Sequence, residues 1–411
     1  MKLVAFREIS PETWDAVCDA SEQAWLFHRS DWIIIEERHF VGENLSVGFE
    51  SKGRLVAVLP LYFSDTSKGA AQENLLHSGI HRHAGLACIP GLDPETLTAL
   101  RSQMRNYLFE QAMSRGCQRI HLSMQSLAPT NLSGRQVREA PYFVSDWGFY
   151  AGVAFGPGGL YPAPGMSTAA CDQIVMLDVE EKALFSRLAE ACRRNVRKAQ
   201  KFGVTIRSLE QSDSIALYYQ MAQVSAQRTG ESLAPLAYYE DVWKAFLTSG
   251  RCRLLAAEHE GVPIAMLLVL MDKGAASYLG GVSTTKGLEL RANDMVHWGL
   301  IRTMREEGQH CYRLGPAFPG LPDDWPIVRV SRFKTKFGAR SIPLLVGSHF
   351  LQPDHYLARG VDLLHLLSGS VSVDGGARAA DVSLAIEADP KTNHASLVQR
   401  MRRYVTRLLG C

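Results

Sequence analysis

Three apolar segments joined by two X-Gly pairs constrain the fold of this chain more than any other feature. The segments are CRLLAAEHE, VPIAMLLVLMD and AASYLGGVS, and the pairs between them are Glu260-Gly261 and Lys273-Gly274. A two-residue hairpin turn needs positive φ at both central residues, which X-Gly pairs tolerate best. The sequence therefore predicts an antiparallel three-strand meander. The helical segment NDMVHWGLIRTMREEG and the short strand CYRLGP follow it.

The rest of the chain shows the same alternation of strand and helix signals. In the second half, the strand DQIVMLDV precedes a helix over about 180–202, a strand over 204–208, and helices over 211–229 and 236–249. In the first half, the strand KLVAF precedes a helix capped by Ser10, a hairpin turning at Lys52-Gly53, a helix closed by Gly116 and the strand CQRIHLSM. The predicted fold class is α/β, with mixed sheets of the α+β kind, in two tandem units.

Glycine and proline mark the boundary between these units. The segment FGPGGLYPAPGMS, 155–167, has no helical or strand period and is the predicted linker. We divide the chain into a first domain over 1–168, a second over 169–345 and a C-terminal extension over 346–411. Within the extension, SLVQRMRRYVTRLL predicts a basic amphipathic helix. It either docks on its own chain or contacts a membrane or RNA.

Composition excludes several classes of protein. No run of about eighteen uncharged apolar residues is present, so the sequence predicts no stable membrane insertion. None of the eight cysteines forms a CxxC pair, which argues against a zinc site or a disulfide framework. His81 and His83 could pair on a metal only with ligands that the sequence does not identify. We therefore expect a cytoplasmic protein with reduced cysteines and no bound metal or cofactor.

One basic stretch stands out in a chain whose formal net charge is only +2. RRNVRKAQKFGVTIR, 193–207, carries six positive charges and no acidic residue. Such a run is either a solvated helix face or a local contact for phosphate or nucleic acid. Lys201 and Arg207 are interpreted as ordinary solvated side chains.

Gly280 and Gly281 interrupt the third strand of the meander. Glycines inside a strand favour a bulge, the close approach of a ligand, or a tight corner against a helix. A three-strand meander followed by a loop, a helix and a strand resembles the core of GNAT acyltransferases, in which backbone amides at such a bulge bind an acyl carbonyl. The following segment, TTKGLELRAND, stands where an acyl-CoA enzyme has a glycine-rich pyrophosphate loop, yet it offers only Gly287.

A second basic segment, VSRFKTKFGAR, interleaves cations with Phe333 and Phe337. This pattern suits a nucleic-acid end, where rings stack on bases and cations meet phosphates. The alternative is that the two rings, four residues apart, simply belong to the core.

Several segments together resemble the FemABX family of aminoacyl-tRNA-dependent peptidyltransferases. They are RRNVRKAQKFGV, YLGGVS, RAND, HWGLIRTMREEG, YRLGP and RFKTKFG, in that order, and the likeness covers roughly 170–345. The first half resembles the family only through LFHRSDWIIIEE and GRLVAVLPLYF. The resemblance implies two tandem GNAT-like acyltransferase domains, with an acceptor cleft and a channel for the 3′ end of aminoacyl-tRNA as co-substrate. It also implies that the C-terminal stretch returns to the first domain.

The resemblance also implies roles for particular residues. Phe333 and Lys334 would lie by the terminal adenosine and the aminoacyl ester, and Arg194 and Arg197 would contact acceptor or phosphate groups. The remaining residues that we assign to substrate binding are Lys198, Tyr278, Arg332 and Lys336. The acceptor is an amine on a peptidoglycan precursor or on a specialised metabolite, in the latter case with a carrier protein as a possible partner.

The predicted reaction is direct aminoacyl transfer. Gly280 and Gly281 would hold the carbonyl oxygen and Lys334 would stabilise charge on the intermediate or on the departing ribose oxygen. Asp324, with its neighbour Asp323, is a candidate general base, and His297 is expected to be packed. The alternatives are a GNAT-like N-acyltransferase that uses acyl-CoA or an acyl carrier protein, and a binding protein without catalytic activity.

Overall fold

The computed structural model describes residues 1–40, 42–65, 74–79, 84–133, 150–153, 171–229, 233–317, 326–343 and 345–351. Strands β1 to β9 of the first half span Lys2–Ala5, Glu43–Asn44, Val47–Ser51, Arg54–Leu59, Tyr62–Asp65, Asn74–His77, Ala87–Cys88, Arg119–Ser123 and Tyr150–Val153. Strands β10 to β17 span Cys171–Met176, Thr205–Leu209, Cys252–His259, Val262–Asp272, Ala275–Ser283, Cys311–Ala317, Arg340–Pro343 and Leu345–Phe350.

Helices α1 to α4 of the first half span Pro11–Ala20, Ser30–His39, Pro94–Ser114 and Pro129–Leu132. Helices α5 to α11 of the second half span Glu181–Arg187, Glu190–Lys201, Ser214–Thr229, Leu236–Phe246, Thr285–Glu289, Ala292–Glu306 and Pro326–Thr335. Two short 3-10 helices, Phe6–Glu8 and Leu26–His28, complete the described elements.

The predicted hairpins are confirmed, and all three turn in the same way. Lys52, Glu260 and Lys273 have φ angles of 52°, 53° and 46°, and the glycine after each has a φ angle of 73° to 77°. Left-handed backbone at both turn residues matches the right-handed twist of the flanking strands, so these dipeptides fix the register of β3–β4, β12–β13 and β13–β14.

The second half is built on a seven-stranded sheet in the order β11-β12-β13-β14-β15-β10-β16. Strands β14 and β15 are parallel neighbours that pair over 275–277 and 311–313 and then separate. One face of the sheet, the α10 face, packs against α6 and α10 through residues such as Val196 and Trp298. The opposite α7 face packs against α7 and α8 through Tyr218 and Trp243.

The first half contains two sheets, in the orders β1-β3-β4-β7 and β2-β5-β6-β8-β17-β9. Strand β17 follows the second half in sequence but pairs with β8 and β9 of the first. The apolar core on the α7 face also includes Trp25, Phe27 and Trp32 of the first half. Mixed sheets in two α/β units confirm the predicted fold class.

A buried ion pair also joins the halves. The Arg29 guanidinium donates to both carboxylate oxygens of Asp272 at 3.0 Å, and Trp25 Nε1 donates to the Asp272 carbonyl at 2.8 Å. The Lys273 ammonium, in the turn after Asp272, donates to the carbonyl oxygens of Cys18 and Ser21. The turn between β13 and β14 is therefore held by the first half.

The prediction of a single helix over 180–202 is wrong. The chain breaks it into α5 and α6 at Leu188 and Ala189, which are both extended. The Ala189 amide donates to the Lys336 carbonyl at 2.9 Å, and a Cβ on Gly338 would lie 2.8 Å from the Arg187 Cβ. The loop after α11 thus packs against this corner, a tertiary contact that helical periodicity does not encode.

Some sequence predictions lie outside the described residues: the linker over 155–167 and the basic helix in the extension. Among the helices of the described ranges, none combines the length and the low polarity that a membrane span requires.

Candidate functional site

The glycine pair in β14 does form a bulge. Val269 of β13 is opposite Tyr278 and Leu268 is opposite Gly280, so Leu279 is the extra residue. An extra residue reverses the alternation of side chains along a strand. Tyr278 accordingly packs on the α10 face, whereas position 280 faces Tyr218 on the α7 face. The extra residue Leu279 lies two positions beyond Ser277, the last residue of β14 that pairs with β15.

Lys334 reaches the same end of the sheet from α11. Its side chain is 8% exposed, and its ammonium donates to the Pro316 carbonyl at 2.7 Å. Pro316 lies on β15 beyond the stretch that pairs with β14. Burial, and secondarily the Arg313 charge, lower the pKa of Lys334 to about 8, against the opposing effect of Asp172. An ammonium in this position is short of negative partners, which is the electrostatic condition for binding an anionic group.

A buried polar network lies behind Lys334. Arg313 Nη2 is 2.7 Å from Asp172 Oδ1, and Arg313 Nη1 donates to Ser277 Oγ at 3.2 Å. The Ser126 hydroxyl of the first half donates to the other Asp172 oxygen. Sequence reasoning missed these residues. The signal available was a charged residue inside each of two mostly apolar strands, β10 and β15.

The two rings of the second basic segment differ: Phe337 belongs to the core, and Phe333 is available for stacking on a base. Phe337 is 1% exposed and belongs to the core, whereas Phe333 is only partly buried. Both rings contact His297, at centroid distances of 4.8 Å for Phe337 and 5.4 Å for Phe333. His297 Nδ1 also hydrogen-bonds the Tyr312 hydroxyl at 2.9 Å, and burial lowers the pKa of His297 to about 3. His297 is therefore packed, as predicted.

Tyr278 and Lys336 flank this aromatic cluster. The Tyr278 ring lies 5.6 Å from that of His297, and the Lys336 ammonium lies 4.0 Å from the Phe333 centroid. Lys336 also forms an ion pair with the buried carboxylate of Asp294. The cation therefore already has a protein partner in this structure. Arg332, on the same helix, is exposed.

The basic stretch lies mainly on α6, which packs against α10. The Arg194 guanidinium is 3.2 Å from a Glu190 carboxylate oxygen, with both side chains well exposed, so this pair neutralises little of the charge. Arg197 and Lys198 lie over the rings of Phe185 and Phe202, at 5.3 and 5.7 Å.

Two other cations of the stretch bind their own chain. Arg193 donates to the carbonyls of Ser186 and Leu188, across the corner between α5 and α6. Arg207 is half-exposed, as expected of a solvated side chain, and it also makes two hydrogen bonds to one Glu258 oxygen. The Asn195 amide donates to Asp294 at 2.6 Å and so links α6 to Lys336.

The segment that stands where an acyl-CoA enzyme has its pyrophosphate loop contains the short helix α9. The Gly287 amide donates to the Thr284 hydroxyl oxygen, and the Leu288 amide donates to the Thr284 carbonyl. The amides of Leu290 and Arg291 donate to the carbonyls of Lys286 and Leu288. Gly287 is required for packing, because a Cβ there would lie 2.1 Å from the Ile264 carbonyl oxygen. These four amides are therefore occupied by oxygens of their own segment.

Two sets of candidates from the sequence lie outside the described residues: the acids Asp323 and Asp324, and the pair His81 and His83. The described part of the chain brings together no group of three or more His, Cys, Asp or Glu side chains that could hold a metal ion.

Comparison with known proteins agrees with this geometry. Residues 186–324 match the family model of the acetyltransferase (GNAT) domain. The crystal structure of FemX superposes with a TM-score of 0.63, covering 87% of this chain and 100% of FemX at 14% identity. The chain has a FemABX-like GNAT fold. At the level of the fold, this confirms the resemblance predicted from the sequence.

A second solved structure is also similar to this FemABX-like chain. It is the C-terminal domain of a protein from Agrobacterium fabrum assigned as a lysylphosphatidylglycerol synthetase. Its TM-score is 0.51 and its identity 15%, over 89% of this chain and 98% of that domain. No curated protein matches the sequence.

Proposed function

We propose that this FemABX-like protein is an aminoacyltransferase. It would join the amino acid of an aminoacyl-tRNA to an amine-bearing acceptor through an amide bond. The observation that carries the proposal is the buried Lys334 ammonium at the end of the sheet where β14 and β15 separate and β14 bulges. A cation there suits a reaction in which negative charge develops on oxygen.

In the proposed reaction, the neutral acceptor amine attacks the ester carbonyl carbon and its electron pair forms the new C–N bond. The carbonyl oxygen becomes an oxyanion, held by backbone amides at Gly280 and Gly281. Collapse of this intermediate breaks the C–O bond to the ribose, and the ribose oxygen takes up the proton that the amine nitrogen loses. Lys334 stabilises the negative charge on these oxygens, and the ester needs no further activation.

Features around Lys334 support a nucleic-acid donor. Phe333 offers a partly buried ring for stacking on the terminal adenosine, with Lys336 beside it and Arg332 exposed on the same helix. The exposed cations of α6 would meet phosphate groups of the tRNA or of the acceptor. The FemX-like fold supports the same assignment, and the second neighbour bears the name of an enzyme with an aminoacylated lipid product.

The occupied amides of α9 argue against acyl-CoA as the preferred donor. A pyrophosphate site needs several free backbone amides, and four of those in the corresponding segment donate to their own chain. An acyl carrier protein remains the alternative donor. We propose an amine on a peptidoglycan precursor or a specialised metabolite as acceptor, and a cytoplasmic site of action.

The test is transfer of a radiolabelled amino acid from aminoacyl-tRNA to a panel of acceptor amines, with acetyl-CoA as a competing donor. We expect Lys334→Ala to lower kcat by about 10²–10³ with little change in donor KM, because the ammonium meets charge that develops in the transition state. Lys334→Arg should rescue poorly, since a planar fork does not replace a compact ammonium.

Lys244→Ala is the matched control, because Lys244 lies on the exposed side of α8. The absence of any transfer from charged tRNA, together with ready turnover of acetyl-CoA, would contradict the proposed donor. Full activity in Lys334→Ala would remove this residue from the chemistry.

A further inference from the structure

The Tyr218 side chain on α7 points its hydroxyl at the bulge in β14. Tyr218 is 98% buried, since its exposed fraction is 2%. Its hydroxyl has no hydrogen-bond partner among the described residues, whereas its ring packs within the core of the α7 face. A tyrosine hydroxyl that makes no hydrogen bond within its own protein can donate one to a ligand that reaches it.

The direction of this hydroxyl is specific. It lies 2.3 Å from the position that a Cβ on residue 280 would occupy, while the next nearest atom, Tyr218 Cζ, is 3.6 Å away. The hydroxyl therefore fills the space that Gly280 leaves empty. It reaches this space because the extra residue Leu279 turns position 280 toward the α7 face. In an unbulged strand, that position would face α10.

A second tyrosine approaches the glycine pair from the other face of the sheet. The Tyr278 hydroxyl lies 3.1 Å from the position of a Cβ on Gly281. The two glycines thus lie between two phenolic oxygens, and any side chain at position 280 would displace the unpaired one. Glycine at 280 therefore serves the placement of a hydroxyl as well as the geometry of the bulge.

The chemistry of this hydroxyl is that of a neutral donor. Burial raises the pKa of Tyr218 well above its usual value of 10, with the neighbouring tyrosines acting in the same direction. The phenol therefore keeps its proton throughout the physiological range. A buried, uncharged O–H donor beside a strand bulge has the properties of a member of an oxyanion hole.

We propose that Tyr218 is a further catalytic residue of the donor site, whose hydroxyl donates a hydrogen bond to the ester carbonyl oxygen at the bulge. This inference rests on the proposed aminoacyl transfer. The hydroxyl and the bulge amides would hold the same oxygen, and Tyr218 itself would neither gain nor lose a proton.

The first test is steady-state aminoacyl transfer by Tyr218→Phe, which removes the oxygen and keeps the ring. Removal of one oxyanion donor typically lowers kcat by about 10²–10³, and we expect a fall of this size with donor KM unchanged. Tyr219→Phe is the control, because it removes a hydroxyl from the next, partly buried position of the same helix.

The second test measures the contact without relying on activity. Gly280→Ala should lower the melting temperature of the wild type, because its methyl group collides with the Tyr218 oxygen. In the Tyr218→Phe background, the same alanine should cost clearly less, since the colliding atom is gone. Equal losses in both backgrounds would show that the hydroxyl does not lie over Gly280 and would overturn the inference.

The outcomes separate this inference from the proposed function. If the wild-type protein transfers amino acids from aminoacyl-tRNA and Tyr218→Phe does so with the same kcat, the role of Tyr218 is overturned and the proposed function stays intact. A wild-type protein that transfers nothing from aminoacyl-tRNA overturns both. A fall in kcat for Tyr218→Phe, with Tyr219→Phe unaffected and the melting temperature retained, supports the role.

Discussion

Replacement of Lys334 by methionine should change how the stability of the protein depends on pH. Methionine approximates the length of the lysine stem and cannot carry charge. The pKa of Lys334 falls from 10.5 in the unfolded chain to about 8 in the folded protein, so folding disfavours the ammonium form. Below pH 8 this penalty is fully present, at about 3 kcal/mol for a shift of this size. It declines between pH 8 and 10.5 and is absent above that range.

The pH dependence separates the effect of the charge on the free energy of unfolding from the effects of lost packing and of a lost hydrogen bond. Lys334→Met also leaves the Pro316 carbonyl without its donor, a cost of about 1–3 kcal/mol that is the same at every pH. We therefore expect the stability of the variant relative to wild type to fall by about 2 kcal/mol between pH 7 and pH 10. Other groups titrate equally in both proteins and cancel in the difference.

Urea denaturation of both proteins at pH 7, 8, 9 and 10 measures this difference. A control with Lys244→Met should show the same pH profile as wild type, because Lys244 is exposed. A stability difference between Lys334→Met and wild type that stays constant from pH 7 to 10 would refute the reasoning. It would mean that Lys334 keeps an ordinary pKa and is not short of negative partners.

Three further predictions follow from the same structure. If Lys334 must be charged, the kcat for transfer should decline as pH rises through about 8, and this limb should be missing from the residual activity of Lys334→Ala. Arg194→Ala combined with Arg197→Ala should flatten the salt dependence of tRNA binding, measured by filter retention at several salt concentrations; an unchanged slope would leave α6 as a solvated face. Arg29→Ala should lower the free energy of unfolding by about 3 kcal/mol in denaturant titration, because among the described residues the ion-pair partner that Asp272 keeps is Arg251 at 3.4 Å; an effect near zero would contradict an ion pair that holds the halves together.

Local sequence signals predicted the strands and turns well because those features depend on neighbouring residues. The X-Gly pairs specify left-handed turn residues, and Gly280-Gly281 correctly indicated a bulge. Helical periodicity predicted most of the amphipathic helices in the same way, although it missed the break at Leu188.

The features that sequence reasoning missed depend on residues far apart in the chain. The network behind Lys334 joins Ser126, Asp172 and Arg313, which lie on three segments. The corner at Leu188 forms because the loop after α11 packs there. The Tyr218 hydroxyl can lie over position 280 only because the extra residue Leu279 reverses the alternation of side chains along β14. This reversal is visible only once the register of β13 and β14 is known. Spacing within one segment carries none of this information.

The position of β17 has a consequence for how the chain matures on the ribosome. Strand β17 lies between β8 and β9, and its residue Val346 is opposite Ser123, about 220 positions earlier in synthesis. At roughly 5–20 residues per second, the edge of β8 would wait about 10–45 seconds for its neighbour. During that interval an unpaired strand edge is open to non-native pairing. The N-terminal half of the nascent protein should therefore depend on chaperones until nearly all of the second half has been made.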